Sequence, residues 1–331
     1  MAKTDCFRMK PFWVMICLFL SIGCATPQYD PGIYRSENYI IYKTTAPETS
    51  ANLAKRFLGN SELDWMIDEV NATEQFRSGQ YAVIPLKWNN IGGIYNHGVQ
   101  QVPILCYHHF ARYCDSSLCV PADIFESQMK YLKENGFHVI LPDQLLAFLE
   151  YRQPLPRKSV IITIDDGYAS FYDIAYPILE KYGFSAALFI YVNYVGVSRK
   201  ALTWNQLREL KAAGYAIGSH TIMHSDLSKQ GATESDQAYA QRLRHEIFES
   251  KRIIDTKLNQ NTTLFAYPFG RANESAIQVT REAGYKIAVT VDRGGNSFFS
   301  NVYALRREQI LKTDMRSFKS RLKTFQPLSL R

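Results

Sequence analysis

Val160-Ile161-Ile162-Thr163-Ile164-Asp165-Asp166-Gly167 is the stretch that decides the fold. Five consecutive apolar or β-branched residues predict a strand buried on both faces, as strands of a helix-covered parallel sheet are. The run stops at two adjacent carboxylates and a glycine. Working outward, the same alternation of strand and helix recurs. Residues 102–107 are apolar; Phe125, Met129 and Leu132 mark a helix ending at Gly136; 139–141 is a strand followed by a helix carrying Leu145, Leu146 and Leu149. Beyond the aspartates, a helix through Ile178-Leu179 leads to a strand at 186–191, and Trp204, Leu207 and Leu210 lead to 215–218. A long polar helix at about 234–258 leads to 264–267, and Ala276, Val279 and Ala283 lead to 286–291. Repeated βα units predict an α/β fold, a parallel sheet closed or nearly closed into a deformed (β/α) barrel. No internal repeat is visible.

Composition narrows the class further. The 331 residues are 46% hydrophobic and 21% charged, with 18 glycines and 13 prolines, which excludes disordered and collagen-like chains. Lys+Arg minus Asp+Glu is 38 − 31 = +7, and the excess is dispersed, which argues against a nucleic-acid partner. No apolar run reaches the roughly 20 residues of a membrane span.

One short apolar run, 12–20, follows Lys3, Arg8 and Lys10, and is succeeded by Leu20-Ser21-Ile22-Gly23-Cys24. A basic start, a short apolar core and small residues before a cut describe a secretory signal over 1–23. The final tetrapeptide resembles a bacterial lipobox, which implies acylation of Cys24 and a membrane anchor, with outer-membrane sorting towards the periplasm if the cell is Gram-negative. Cys114 and Cys119 then either pair across a four-residue loop or remain free thiols, and Cys106 reads as a buried thiol. Residues 24–37 suit a tether. Residues 38–87 read as β-α-α-β: a strand at 39–42, a helix starting at Thr49-Ser50 and stopping at Gly59, a second helix through Trp65 and Val70, and a strand at 81–85. That order, with Asn71 and Ser78-Gly79-Gln80…Ile84-Pro85, resembles a LysM module, which implies glycan binding. Residues 88–99, rich in Asn and Gly, read as a linker to a domain spanning 100–331.

Chemistry-bearing residues gather at the predicted C-terminal strand ends, where barrel enzymes place their sites. Adjacent carboxylates repel, and a cation between them relieves the repulsion. After the strand at 215–218 comes Ser219-His220-Thr221-Ile222-Met223-His224. Histidines four apart can face one way on a helical turn; with Asp165-Asp166 they supply two imidazoles and a carboxylate, enough for a catalytic zinc site with open positions. Tyr168, Trp204 and Tyr267 are aromatic candidates for sugar stacking, Pro268-Phe269-Gly270 for the groove rim, and Arg306-Arg307 and Arg316…Arg321 read as solvated faces.

Thr163-Ile164-Asp165-Asp166-Gly167 and His220-Thr221-Ile222-Met223-His224 resemble the first two motifs of the polysaccharide deacetylases (NodB homology, carbohydrate esterase family 4), and 102–108 resembles that domain's opening strand. The resemblance spans about 100–310. It implies a metal-dependent N-deacetylase with Asp165 as general base, Asp166, His220 and His224 as ligands of Zn2+ (or Co2+ or Ni2+), and Tyr168, Tyr267, Pro268 and Phe269 against substrate. Ala266 stands where the third motif often has arginine, and Leu305-Arg306-Arg307 lacks the last motif's histidine. Both departures, and Asp165-Asp166-Gly167-Tyr168-Ala169-Ser170-Phe171-Tyr172, resemble the branch that deacetylates exported poly-N-acetylglucosamine. In that branch the opening histidine is the acid, which implies His108; His109 is the neighbour on the opposite face. The expectation is an envelope enzyme acting on an N-acetylglucosamine polymer, with polysaccharide-export or envelope components as partners. The rival expectations are a non-catalytic glycan-binding lipoprotein and a metal-independent glycosidase that would shorten the polymer.

Overall fold

A computed structural model describes residues 32–88, 90–311 and 314–328. The expected signal at 1–23, Cys24 and most of the tether lie outside the described residues. Among the described residues no helix is long and apolar enough to cross a membrane. The chain divides into two compact units at Lys87 and Trp88.

In the first unit, strand Tyr39–Lys43 pairs antiparallel with both Ile33–Arg35 and Tyr81–Pro85. Helices Ser50–Leu58 and Asp64–Asn71 fill the span between the last two strands. The Thr49 side chain caps the first helix by accepting from the Asn52 amide, and Gly59 ends it in the left-handed region at φ 79°. Asn71 ties helix to sheet: its amide donates to Val83 O at 2.7 Å and its Oδ1 accepts from Val83 N at 2.9 Å. Ile40, Tyr42, Leu53, Ile67, Phe76 and Ile84 form a core of their own.

The second unit is built on a parallel sheet: β1 (Ile104–Tyr107), β2 (Ser159–Asp166), β3 (Ala187–Ile190), β4 (Ala216–Ser219), β5 (Leu264–Ala266), β6 (Ile287–Val289) and β7 (Glu308–Gln309). The spatial order is β6-β5-β4-β3-β2-β1-β7. β1 to β6 therefore follow chain order across the sheet, the short strand His138–Val139 between β1 and β2 pairs parallel with the start of β2, and the last strand returns beside the first. Val289 also bridges Leu305, so the segment leading into β7 draws the two ends of the sheet together into a deformed barrel. All eight residues of β2 are buried. Val160, Ile162 and Ile164 pack into one cluster with Leu105, Leu188 and Ile190, while Ile161 packs on the other face with Ile104, Phe189 and Leu264. The period of two puts Thr163 and Asp165 on the same face as Ile161.

Three sequence expectations need correction. Residues 88–99 are not a linker: Ile94–Tyr95 and Gly98–Gln100 form a hairpin, and Gly98–Gln100 pairs with Phe325–Pro327. Asn96-His97, taken as linker punctuation, is the hairpin turn, because the same residues serve both. The polar helix at 234–258 is not uniform: Asp236–Arg244 and Ser250–Leu258 flank one wide π-turn, His245–Glu249. Arg307 is not on a solvated face but is among the most deeply buried side chains.

Candidate active site

The loops leaving β1, β2 and β4 and the segment entering β7 bring the titratable groups together. Asp165 and Asp166 end β2. Strict alternation would send their carboxylates to opposite faces. Asp166 instead adopts φ 74°, which turns the chain at the strand end, and its Oδ1 lies 3.4 Å from His224 Nε2 and 3.7 Å from His220 Nε2. His220 follows β4 directly, with its amide donating to Ile190 O at 2.7 Å. Its Nδ1 lies 2.7 Å from Ala266 O, so it carries the proton and leaves Nε2 free. The two Nε2 atoms are 3.2 Å apart. Two imidazole ligands about 2.0–2.1 Å from one cation at a near-tetrahedral angle sit at about that separation. The donor set therefore fits a divalent metal: one carboxylate and two neutral imidazoles, mutually within 4.8 Å.

The histidine loop is held against strain. Thr221 and His224 have φ 72° and 59°, and together with Asp166 and Phe269 they are four of the seven left-handed non-glycine residues among those described. Such backbone persists only where its surroundings over-determine it. Here Glu246 does so from the π-turn: Oε2 accepts from the amides of Ile222 (2.8 Å) and Met223 (3.0 Å), and Oε1 from Ser225 Oγ (3.0 Å). Glu246 is buried and escaped the sequence reading, since nothing in a run of polar helical residues sets it apart.

The second residue missed is Arg307. Its Nη1 and Nη2 donate to Asp165 Oδ1 and Oδ2, both at 2.7 Å, Nη1 also donates to Thr163 Oγ1 at 3.2 Å, and Nε donates to Thr290 O at 2.7 Å. A signal existed: Leu305 reads as an inward apolar residue, and a period of two puts Arg307 on its side. Arg307 thus reaches the carboxylate from the last motif, while Ala266 occupies the third-motif position.

The electrostatics follow from burial and this pair. Burial alone would raise Asp165, but Arg307 first, then His220, hold it well below the usual carboxylate range. Asp166 is pushed up to about 7, by burial and then by the charge of Asp165. Burial pulls His220 down to about 4 and also lowers His224 and His108, keeping all three rings neutral. His108 forms a second group with Cys106 and Asp165, whose polar atoms lie within 4.8 Å of one another. Cys106 Sγ points at Asp165 Oδ2 from 3.6 Å. The His109 ring lies 5.3 Å from that of Tyr168.

Of the expected substrate contacts, Tyr168 is half-buried beside the aspartates, and its hydroxyl is pushed up to about 12 by burial and Asp166. Phe269 is 54% exposed with its ring 4.7 Å from His224. Tyr267 and Pro268 do not fit the expectation. Both are buried, Tyr267 against Phe265 with its hydroxyl donating to Tyr303 O, because Tyr267 continues the helix-covered face of β5, where Phe265 packs with Leu243, Ala276 and Tyr285, and not the face that Leu264 and Ala266 share with Leu305. Trp204 packs against the core. Cys114 and Cys119 are disulfide-bonded and Cys106 is a buried free thiol.

The family model for polysaccharide deacetylase matches residues 152–288. YxkH of Bacillus subtilis, which carries the name of a polysaccharide deacetylase, is 36% identical over 210 residues, covering 63% of this chain and 71% of that protein. The chain belongs to the polysaccharide deacetylase family. The poly-β-1,6-N-acetyl-D-glucosamine N-deacetylase of Escherichia coli K12 is 25% identical over 54% of this chain, and the match spans only 31% of that enzyme's length. The Streptococcus pyogenes deacetylase PplD, solved in complex with acetate, superposes with a TM-score of 0.61 at 29% identity, covering 67% of this chain and 98% of that one.

Two outcomes follow for the polysaccharide deacetylase site. Replacing Arg307 with Met strands a buried carboxylate without its counter-charge, and should cost about 3–5 kcal/mol in denaturant unfolding; a loss under about 1 kcal/mol would mean that Asp165 is not held by this pair. Between about pH 4 and 7 His220 is neutral while Asp166 keeps a proton. Because the folded value of Asp166 lies above its ordinary one, ionising it costs stability as pH rises through that window, and a bound cation removes the cost. Zinc uptake at pH 6 should therefore release close to one proton, and affinity should fall as pH drops, measured by titration calorimetry in two buffers of different ionisation heat.

Proposed function

We propose that this protein removes N-acetyl groups from an N-acetylglucosamine-containing polysaccharide at the cell envelope, with zinc as the cation and cobalt or nickel as substitutes. The observation that carries the reading is the shared step at Asp165-Asp166: one carboxylate joins the imidazole pair and the other is locked to Arg307 beside His108. Two imidazoles and a carboxylate with open positions suit zinc. The names of the Escherichia coli relative and of the acetate-bound PplD support the substrate and the released product.

A divalent cation held by Asp166, His220 and His224 supplies Lewis acidity, which polarises an amide carbonyl and acidifies water. The chain's own groups do the rest. Water adds to the acetamide carbonyl carbon, giving up a proton to a carboxylate oxygen of Asp165. Arg307 makes that carboxylate a weak base, so it passes the proton on rather than keeping it. His108 Nε2 or Nδ1, in the same cluster and neutral at rest, takes it up and delivers it to the amide nitrogen. The C–N bond then breaks to give the free amine and acetic acid, which ionises to acetate, since an amide nitrogen leaves poorly without a proton. Phe269, exposed beside His224, and Tyr168 border the groove.

We also assign Cys24 as the site of a lipid anchor, and the 38–87 unit as a LysM-like glycan-binding module that raises the local concentration of polymer. Polysaccharide-export or envelope components are the partners this placement implies.

Acetate release from acetylated β-linked glucosamine oligomers, abolished by a chelator and restored by zinc, tests the activity; undiminished release in chelator would end the metal reading. His108→Ala should retain metal and lose about 10²–10⁴-fold in turnover, with His109→Ala nearly native. The reverse ranking would move the acid to His109. For the anchor, Cys24→Ser should stop the full-length protein from partitioning into the detergent phase; unchanged partitioning would rule out acylation there.

A further inference from the structure

Arg307 turns inward to Asp165, but its chain neighbours Arg306 and Glu308 line a different cavity. That cavity has a volume of about 520 Å³, in the range of small-ligand sites. Its charged lining is one-sided: Arg293, Arg306, Arg321 and Lys323 stand against Glu308 alone. Like charges gathered in one cavity repel, and a bound anion relieves the repulsion.

The arginines are held in place rather than gathered by chance. Glu308 is buried, and its Oε2 accepts from Arg293 Nε at 3.1 Å and from Arg321 Nη1 at 2.8 Å. One carboxylate thus orients two guanidiniums, and each keeps further N–H groups for a ligand. Arg306 is clamped through its backbone: its amide donates to Asn296 Oδ1 at 2.9 Å, and Asn296 Nδ2 donates to its carbonyl at 2.9 Å. Among the described residues no side-chain hydrogen bond or ion pair engages Arg306 or Lys323. Glycines clear the space beside them. Gly294 has φ 144°, and a Cβ there would lie 3.1 Å from Arg306 Cδ and 3.3 Å from its Nη1. A Cβ on Gly295 would meet Gln101 Oε1 at 2.8 Å, and Gln101 Nε2 in turn donates to Gln326 Oε1 at 2.6 Å. The two bare positions let Arg306 and Gln101 lie close against this segment.

We propose that this cavity binds a phosphoryl group, free or esterified. Four positive charges less the one of Glu308 leave a lining of three. A carboxylate ligand is planar, carries one charge and is satisfied by a single arginine fork. A phosphoryl group spreads nearly two charges over three acceptor oxygens, and so engages several cations at once. The site is separate from the metal ligands, because Arg306 and Glu308 lie on the side of their strand away from Arg307. It does not depend on the deacetylase reading.

The test is calorimetric titration with inorganic phosphate and with glycerol 3-phosphate, the ester unit of phospholipid headgroups. It is run in about 0.15 M sodium chloride, where loose surface attraction is screened. Three full-length proteins are compared: native, His220→Ala and Arg306→Gln/Lys323→Gln. His220→Ala removes a ligand of the metal site, which is a second place for phosphate to bind. Native and His220→Ala proteins should bind one phosphoryl group in the cavity with equal affinity. The double variant should bind it about tenfold more weakly or worse, with its metal content unchanged. Lys323→Gln alone should show a smaller loss of the same sign, and carries the test if the double variant does not fold. Tighter binding of the ester supports a site for a headgroup-like ligand, and tighter binding of inorganic phosphate supports a site for the free ion. Equal affinity in native and double variant, no uptake by the native protein, or uptake lost only with His220→Ala would overturn the proposal.

Discussion

Everything at the site depends on one buried ion pair, Arg307 with Asp165. Neither side chain is more than 2% exposed, and a lone charge at that depth would cost several kcal/mol. The guanidinium meets the cost with a bidentate geometry, and Thr290 O and Thr163 Oγ1 occupy further N–H groups. The consequences run in sequence. Asp165 stays ionised because Arg307 faces it. Its negative charge adds to burial in raising the neighbouring Asp166 to about 7. Asp166 is thereby left as the carboxyl that gains most from a cation, between two imidazoles that burial keeps unprotonated. One arginine thus divides two identical, adjacent side chains into different chemical species.

The histidine loop shows the same logic by other means. Its left-handed residues are costly, and the cost is met from a helix that widens by one turn to aim Glu246 at the amides of Ile222 and Met223. Wide turns in helices frequently mark functional sites. The irregularity and the strain belong to a single device: a buried carboxylate that orders the loop without touching either imidazole.

Much of this was legible in the sequence because it is local. The β-branched run at 160–164, the Asp165-Asp166 end and the spacing of His220 and His224 are short-range patterns with a direct physical reading, and the structure brings those residues together. What escaped reading was long-range or many-valued. Arg307 looked like any surface arginine, because its partner is far away in the chain. Glu246 lies in a helix with no local sign of the π-turn. Tyr267 was misplaced because a residue at a strand end can either continue the strand's helix-covered face or leave it, and only packing against Phe265 and Tyr285 decides. Asn96-His97 was ambiguous between a linker and a hairpin for the same reason.

The return of β7 to the side of β1 has a consequence for how the molecule comes into being. Asp165 and its arginine are 142 positions apart, so the contact closes a long loop. Contacts of that span form late, since their loop entropy is not offset until the intervening strands are in place. A chain emerging from a ribosome holds both aspartates and both histidines long before it holds Arg307. During that interval Asp165 lacks the counter-charge that separates it from Asp166, and the two remain equivalent. Assembly of the site is thereby tied to completion of the barrel.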